Sequence, residues 1–267
     1  MNNKERQEII AGSPISFPYL KRFNAAAGVL HLIQGILMLA LGFLLNWPLK
    51  IYTTYLKVGP LPWSPSIQPL FSFNNLGVVL ASFPLISAIA HFTIAYPKNK
   101  QYNENLKKGM NPYRWYEYAF SSSIMIVLIS TFVGILDFWS LAMIFVLNAM
   151  MIMFGYEMEL LNQTTEKTNW SPFILGCISG GLPWVVLYAY FAGALSSSSV
   201  GPPTFVYFIL FIYFILFMVF AVNMVLQYKG VGRWRDYLYG ERMYIVLSFV
   251  AKTLLAWLVF SGVFMPH

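Results

Sequence analysis

The residues able to do chemistry in this chain are few, and they lie where a chain rarely places charge. Lys252 sits midway through an apolar run, Ser248-Phe249-Val250-Ala251-Lys252-Thr253-Leu254. In a membrane such a lysine is too deep for its stem to carry the amine to either surface, and a central ionisable group marks a functional site by default. An amine held out of water is a nucleophile toward aldehydes, the chemistry of a Schiff base. The alternative is a lysine paired with a carboxylate for helix packing alone. In both readings it needs a counter-ion. Glu117, in Arg114-Trp115-Tyr116-Glu117-Tyr118, is the best placed. It stands about five residues, roughly 7 Å of rise, inside its helix. Read blandly, Glu117 is an early-helix acid favoured by the helix dipole. Asp137 falls at a loop, and Glu157 and Glu159 read as the solvated end of a helix.

Polar neighbours share that depth. Ser121 is one turn beyond Glu117 on the same face, and Ser248 one turn before Lys252. Ser87 and His91 are four apart, and His31 lies about eight residues into the first apolar run. A lone membrane histidine is often only an interhelical hydrogen-bond partner. Two at one depth, beside one acid and one lysine, read as a hydrated polar pocket around a charge pair. Both are taken as neutral at rest and available to store a proton. Metal ligation is the weaker alternative, because no His pair has the spacing of a helical zinc site. The sequence shows no phosphate-binding glycine loop and no Ser-His-Asp order, and Gly180-Gly181 reads as close helix packing.

The elements that must position these groups are membrane helices. Of the 267 residues, 58% are hydrophobic and only 10% charged, against about a quarter charged in soluble domains. That excludes an ordinary soluble enzyme, a disordered chain and a nucleic-acid binder. A single cysteine, Cys177, excludes an intramolecular disulfide. The polar, proline-broken first twenty residues lead to the expectation of no cleavable signal peptide. Seven apolar windows, at about 23–45, 73–96, 113–136, 141–161, 172–192, 204–228 and 242–264, are each long enough to span. The expected fold is all-α: one seven-transmembrane-helix bundle with no further domain and no internal repeat.

Charge gives the orientation. With seven spans, the N-terminus and the even loops share one side, which carries fourteen Lys and Arg, among them Lys98, Lys100, Lys107, Lys108, Arg233 and Arg235. The other side holds only Lys50 and Lys57. The expectation is therefore a cytoplasmic N-terminus and an outside C-terminus. The longest loop, about 46–72, would lie outside. Its prolines and aromatics (Trp47, Tyr52, Tyr55, Trp63) suggest a small strand pair over the bundle.

A mid-helix lysine in the last of seven spans, with an acid early in the third, resembles the microbial rhodopsins. Arg114-Trp115-Tyr116-Glu117 looks like their Arg-x-x-acid motif. The inverted orientation, His31, Ser87 and His91, Glu117 followed by Ser121, Asn148 in Leu-Asn-Ala-Met-Met, and Ser248 before Lys252 resemble one branch, the heliorhodopsins, over essentially the whole chain. The resemblance implies covalent all-trans retinal on Lys252 as a protonated Schiff base, with Glu117 as counter-ion. It places Ser121, Ser248 and Arg114 in the Schiff-base region and His31, Ser87 and His91 in the polar pocket. Tyr118, Asn148, Met151 and Ile152 would line the polyene, with Phe217 and Phe220, for which bundle packing is an equal alternative. It also implies a homodimer in the lipid bilayer, with the long outer loop as a contact.

The mode of action is read from missing acids. Outward proton pumps of the superfamily typically carry an acid four residues before the lysine and another eleven after the counter-ion. Here those positions are Ser248 and Leu128. A slow-cycling light sensor is therefore the first expectation. A light-gated ion or proton channel, extended by Asn223 and Gln227, is the second. A regulator of a cytoplasmic signalling partner through the basic face is the third, although anionic lipid explains that face more simply. A transporter without chromophore is the fourth.

Overall fold

The computed structural model describes residues 3–43, 49–197 and 201–264. A short helix α1 (Asn3–Ala11) precedes the first long one, α2 (Phe17–Gly42). A hairpin of β1 (Leu49–Lys57) and β2 (Ser64–Phe73) follows, then α3 (Leu76–Ala95) and a short α4 (Asn99–Lys107). Four long helices come next: α5 (Pro112–Phe132), α6 (Phe138–Leu161), α7 (Ser171–Ser197) and α8 (Thr204–Lys229). A 3-10 turn at Gly232–Arg235 leads into α9 (Tyr237–Phe264). Alternation of direction puts α1, α4 and the 3-10 turn at one end of the bundle, the α1 end, and the hairpin at the other.

Local chemistry sets these limits. Ser16 accepts from Tyr19 N at 3.2 Å and so starts α2 at Phe17, earlier than the apolar window at 23. Asn75 caps α3, Asn111 caps α5 just before Pro112, and Asp137 caps α6 through Ser140 N at 2.9 Å. Gly230, in the left-handed conformation at φ 66°, closes α8. The window for α9 began at 242, but the helix begins at Tyr237, because its polar first turn is held by buried partners. The end of the first window and Trp47 lie outside the described residues.

Six of the long helices, all but α5, are long and apolar enough to cross a membrane by length and composition. α5 is the polar one, carrying Arg114, Glu117 and Ser121–Ser123. Its inward face is buried against α3 and α6. Ile33, Ile36, Val185, Phe211 and Ile215 are exposed on the outer faces of their helices, which a bilayer explains and water does not. The protein is a multi-pass membrane protein.

The main apolar core lies toward the hairpin end, where Leu80, Phe83, Ile126, Ile129, Leu210, Leu255 and Val259 interlock. α2 and α3 touch backbone to backbone at Gly42 and Gly77, where a Cβ on either would overlap the other's Cα. β1 pairs antiparallel with β2 from Leu49↔Phe73 to Lys57↔Ser64, with a bulge at Ile51/Tyr52. Tyr52 N donates to Leu136 O at 2.9 Å and so ties the hairpin to the α5–α6 junction.

Candidate functional site

α5 and α9 bring the lysine and the acid together. Lys252 Nζ lies 2.7 Å from Glu117 Oε1 and 2.9 Å from Ser248 Oγ. The side chains are 3% and 8% exposed, so little water screens the pair. Ser87 of α3 donates to the same Glu117 oxygen at 2.7 Å. The Ser121 hydroxyl, one turn on, lies beside that carboxylate and faces the cavity described below. The ammonium also stands 5.1 Å from the centre of the Tyr118 ring. Tyr118 OH donates to Tyr244 O at 2.8 Å, which fixes the ring in place.

The two histidines stack, with ring centres 5.5 Å apart and planes within 12°. His91 Nδ1 is 2.8 Å from Asn24 Oδ1. His31 is fully buried, edge-on to Phe249, and neither of its ring nitrogens has a hydrogen-bond partner among the described residues. Gly28 makes this packing feasible, because a Cβ there would stand 2.9 Å from the Phe92 ring. Ser87 and His91 share a face of α3, so one side of the pocket is bonded to Glu117 and the other to Asn24.

A cavity of about 650 Å³ opens beside Lys252, between α5, α6, α7, α8 and α9. Its size lies within the roughly 300–1,000 Å³ usual for small-molecule sites. Lys252, Ser248, Ser121 and Ser122 are polar marks on walls that are otherwise apolar and aromatic. Tyr118, Met151, Ile152, Phe217 and Phe220 all line it. Asn148 does not. It donates to Ser122 Oγ at 2.8 Å and Ser123 Oγ at 3.0 Å, bonding α6 to α5 behind the wall. Gly155 and Gly180 shape the space: a Cβ on Gly155 would sit 2.5 Å from the Trp115 ring, and one on Gly180 would overlap Met151 Sδ. A Cβ on Gly181 would meet no atom within 4 Å, and the residue lines the cavity, so only the first glycine of that pair serves close packing.

A second ionic cluster lies at the α1 end, and it corrects two sequence expectations. Glu159 is not solvated: it is 1% exposed, inside the bundle. It takes Arg114 Nη2 at 2.6 Å, Trp115 Nε1 at 2.6 Å, Tyr237 OH at 2.9 Å and the Asn111 amide at 2.8 Å. Glu157 is exposed, as expected of a helix end. Arg114 makes no hydrogen bond to Glu117 or Lys252 among the described residues. Its guanidinium pairs with Glu159 and with Glu241 of α9, and packs 4.0 Å from the centre of the Tyr244 ring. The reason is direction: Arg114 is in the first turn of α5 and meets the first turns of α9, while Glu117 is one turn deeper.

Glu241 was missed by sequence reasoning. Its position, eleven residues before Lys252 and just after a Tyr-Gly pair, looks like an ordinary helix start. No local signal singles it out, because Arg242 follows it directly and Arg233 and Arg235 stand just before it as ready surface partners. Glu241 also accepts from Asn111 Nδ2 at 2.7 Å and from Tyr102 OH at 3.2 Å. Burial, and then the negative charge of Glu241, hold the Tyr102 phenol well above its ordinary range, so it stays a neutral donor. Asn24 Nδ2 reaches Tyr102 OH at 3.3 Å. Asn24 and Tyr102 therefore connect His91 to the second cluster, and neither was singled out from the sequence. Asn223 and Gln227 bond to Trp234 Nε1 and Tyr237 O, which is ordinary interhelical bonding.

Among the described residues no group of three metal-ligating side chains converges. A family model described as Heliorhodopsin matches residues 20–264. No curated protein matches the chain.

Proposed function

The chain belongs to the heliorhodopsin family, whose members are retinal-binding, light-sensing microbial rhodopsins, and on that premise we propose that it senses light through all-trans retinal joined covalently to Lys252. One observation carries the reading: the Lys252 amine stands at the wall of a deep apolar cavity, with one carboxylate in contact. The residues fit the group. A long apolar molecule that ends in an aldehyde would lie against Met151, Ile152, Phe217 and Phe220, with its reactive carbon at Lys252. Gly155 and Gly180 let Trp115 and Met151 pack back against their helices, where a Cβ would push them out of place. Bound there, retinal supplies visible absorption and a light-driven isomerisation.

The chain's own residues do the rest. Glu117 holds negative charge against the Lys252 nitrogen, which favours the protonated nitrogen and sets how far positive charge spreads along the chromophore. Ser87 fixes the carboxylate, and Ser248 accepts a hydrogen from the nitrogen. When the nitrogen's direction changes, both bonds break geometry together, and α9 must adjust. His31 and His91, stacked at this level, complete the polar side of the pair. Glu117 is the one carboxylate bonded to Lys252 among the described residues, and Leu128 is buried in apolar core. A vectorial relay lacks its steps, which supports a slow-cycling sensor over a pump.

The basic loops support a cytoplasmic α1 end and an outward hairpin. The exposed apolar side chains of the hairpin, Leu56, Leu61, Trp63 and Ile67, support a homodimer contact there. Two experiments test the reading. Borohydride reduction of the pigment should fix one retinal on the peptide that contains Lys252; label elsewhere would refute the attachment. Illuminated vesicles that hold the pure protein should show no sustained pH change; a sustained change would replace the sensor with a pump.

A further inference from the structure

α1 packs on the end of the bundle, against the start of α9 and against parts of α2, α4 and α8. Ile10 packs with Leu20, Tyr102, Tyr237 and Leu238 in a small apolar cluster. Ser13, just after α1, donates to Asp236 Oδ2 at 2.5 Å. Arg235 reaches Glu5 Oε1 at 2.9 Å. Asp236 also caps α9, accepting from Leu238 N at 2.9 Å. The next residues of α9, Tyr237 and Glu241, belong to the Arg114 cluster. Lys252 lies further along the same helix, roughly 24 Å of rise from Asp236.

Arg6 sets how firmly α1 is held. It is 1% exposed, with its guanidinium carbon 4.5 Å from the centre of the Tyr228 ring. Among the described residues its Nε and Nη1 have no hydrogen-bond partner, and the guanidinium is held by the Tyr228 side chain alone. A buried cation with unpaired donors penalises the state that buries it. Gly109, at φ 73°, leaves the space: a Cβ there would be 2.6 Å from Arg6 Cδ. The docked helix therefore combines specific contacts to α9 with a built-in cost, as expected of an element at the low-stability end of a fold.

We propose that α1 is a latch. In the dark it covers the buried Arg114–Glu159–Glu241 cluster, and the adjustment of α9 that follows light absorption frees it. The light-driven half of this inference rests on the sensing reading above; the covering half does not. The readout at the membrane surface is then a short polar helix that changes from docked to undocked.

Amide hydrogen exchange on the full-length protein tests both halves, with the visible band followed in the same sample. In the dark, Ser13→Ala should speed exchange across 5–11 and 237–241 about tenfold, and Ser13→Thr, which keeps the hydroxyl, should restore it. Unchanged exchange in Ser13→Ala would overturn the covering role. Under light, the unsubstituted protein should show faster exchange at 5–11. Unchanged exchange there, with the band cycling normally, would overturn the release and leave the sensing reading standing. A protein with no visible band would overturn the release and the sensing reading together, and the dark arm would still decide the cover.

Discussion

Two buried ionic sites share the helices α5 and α9, and their surroundings differ. Arg114 meets Glu159 and Glu241 in a cluster whose acids are also bonded by Asn111, Trp115, Tyr102 and Tyr237. Lys252 meets Glu117 with two serines close by and a cavity of about 650 Å³ on one side. The first site has neutral donors packed around its carboxylates and beside it a cavity of about 30 Å³, roughly the room of one water. The second has one acid, few donors and room. A buried ion pair adds little net stability by itself, because desolvation offsets attraction, but removing one partner strands the other. The crowded cluster therefore reads as a joint that holds the ends of α5, α6 and α9, and the sparse pair as the site that can change state.

That contrast can be broken by exchanging one acid at a time. Glu159→Gln or Glu241→Gln should cost about 3–5 kcal/mol, because the buried Arg114 loses one of its two carboxylates. The thermal midpoint should fall sharply while the visible band moves little. A large band shift with unchanged stability would reverse the two roles. Glu117→Gln should move the band. It should shift to the red as positive charge spreads from the nitrogen, and stability should fall as well, by about 3–5 kcal/mol, because the buried nitrogen loses its carboxylate. An unshifted band would remove Glu117 as counter-ion.

Smaller changes sharpen the picture. Gly180→Ala forces Met151 aside in a packed wall, a strain of about 1–3 kcal/mol. Uptake of added retinal should slow several-fold, as a time course of band growth would show, and unchanged uptake would mean that the cavity is not the binding site. Ser248→Ala removes one hydrogen bond from Lys252, about 1 kcal/mol. The stability loss should be near the limit of measurement, with a small band shift as the clearer sign. A loss as large as that of Glu159→Gln would show that Ser248 belongs to the joint rather than to the light site.

The sequence made the sparse site readable and the crowded one largely invisible, for one physical reason. Lys252, Glu117 and the two histidines interrupt apolar runs, so each stands out against its own neighbours. Glu159, Glu241, Asn24 and Tyr102 sit near helix ends or on a short polar helix, where polar residues are ordinary. Their burial follows from contacts across 44 to 139 positions, which no local pattern carries. Asn148 shows the same limit at one residue: the sequence puts it on α6 at the cavity's depth, and only packing turns it behind the wall toward Ser122 and Ser123. Helix existence came from hydropathy. Helix starts came from caps, as Ser16 shows for α2 and the bonded first turns show for α9. The polarity of α5, which sets it apart from the six apolar spans, comes from carrying residues of both sites.

Everything proposed for the light response depends on Lys252 carrying the light-absorbing group. The most direct measurement is a visible spectrum of the purified protein after addition of all-trans retinal, alongside Lys252→Ala prepared in the same way. A visible band is expected in the first and none in the second, with both proteins equally helical. A band that persists in Lys252→Ala, or a folded unsubstituted protein that stays colourless, would contradict it.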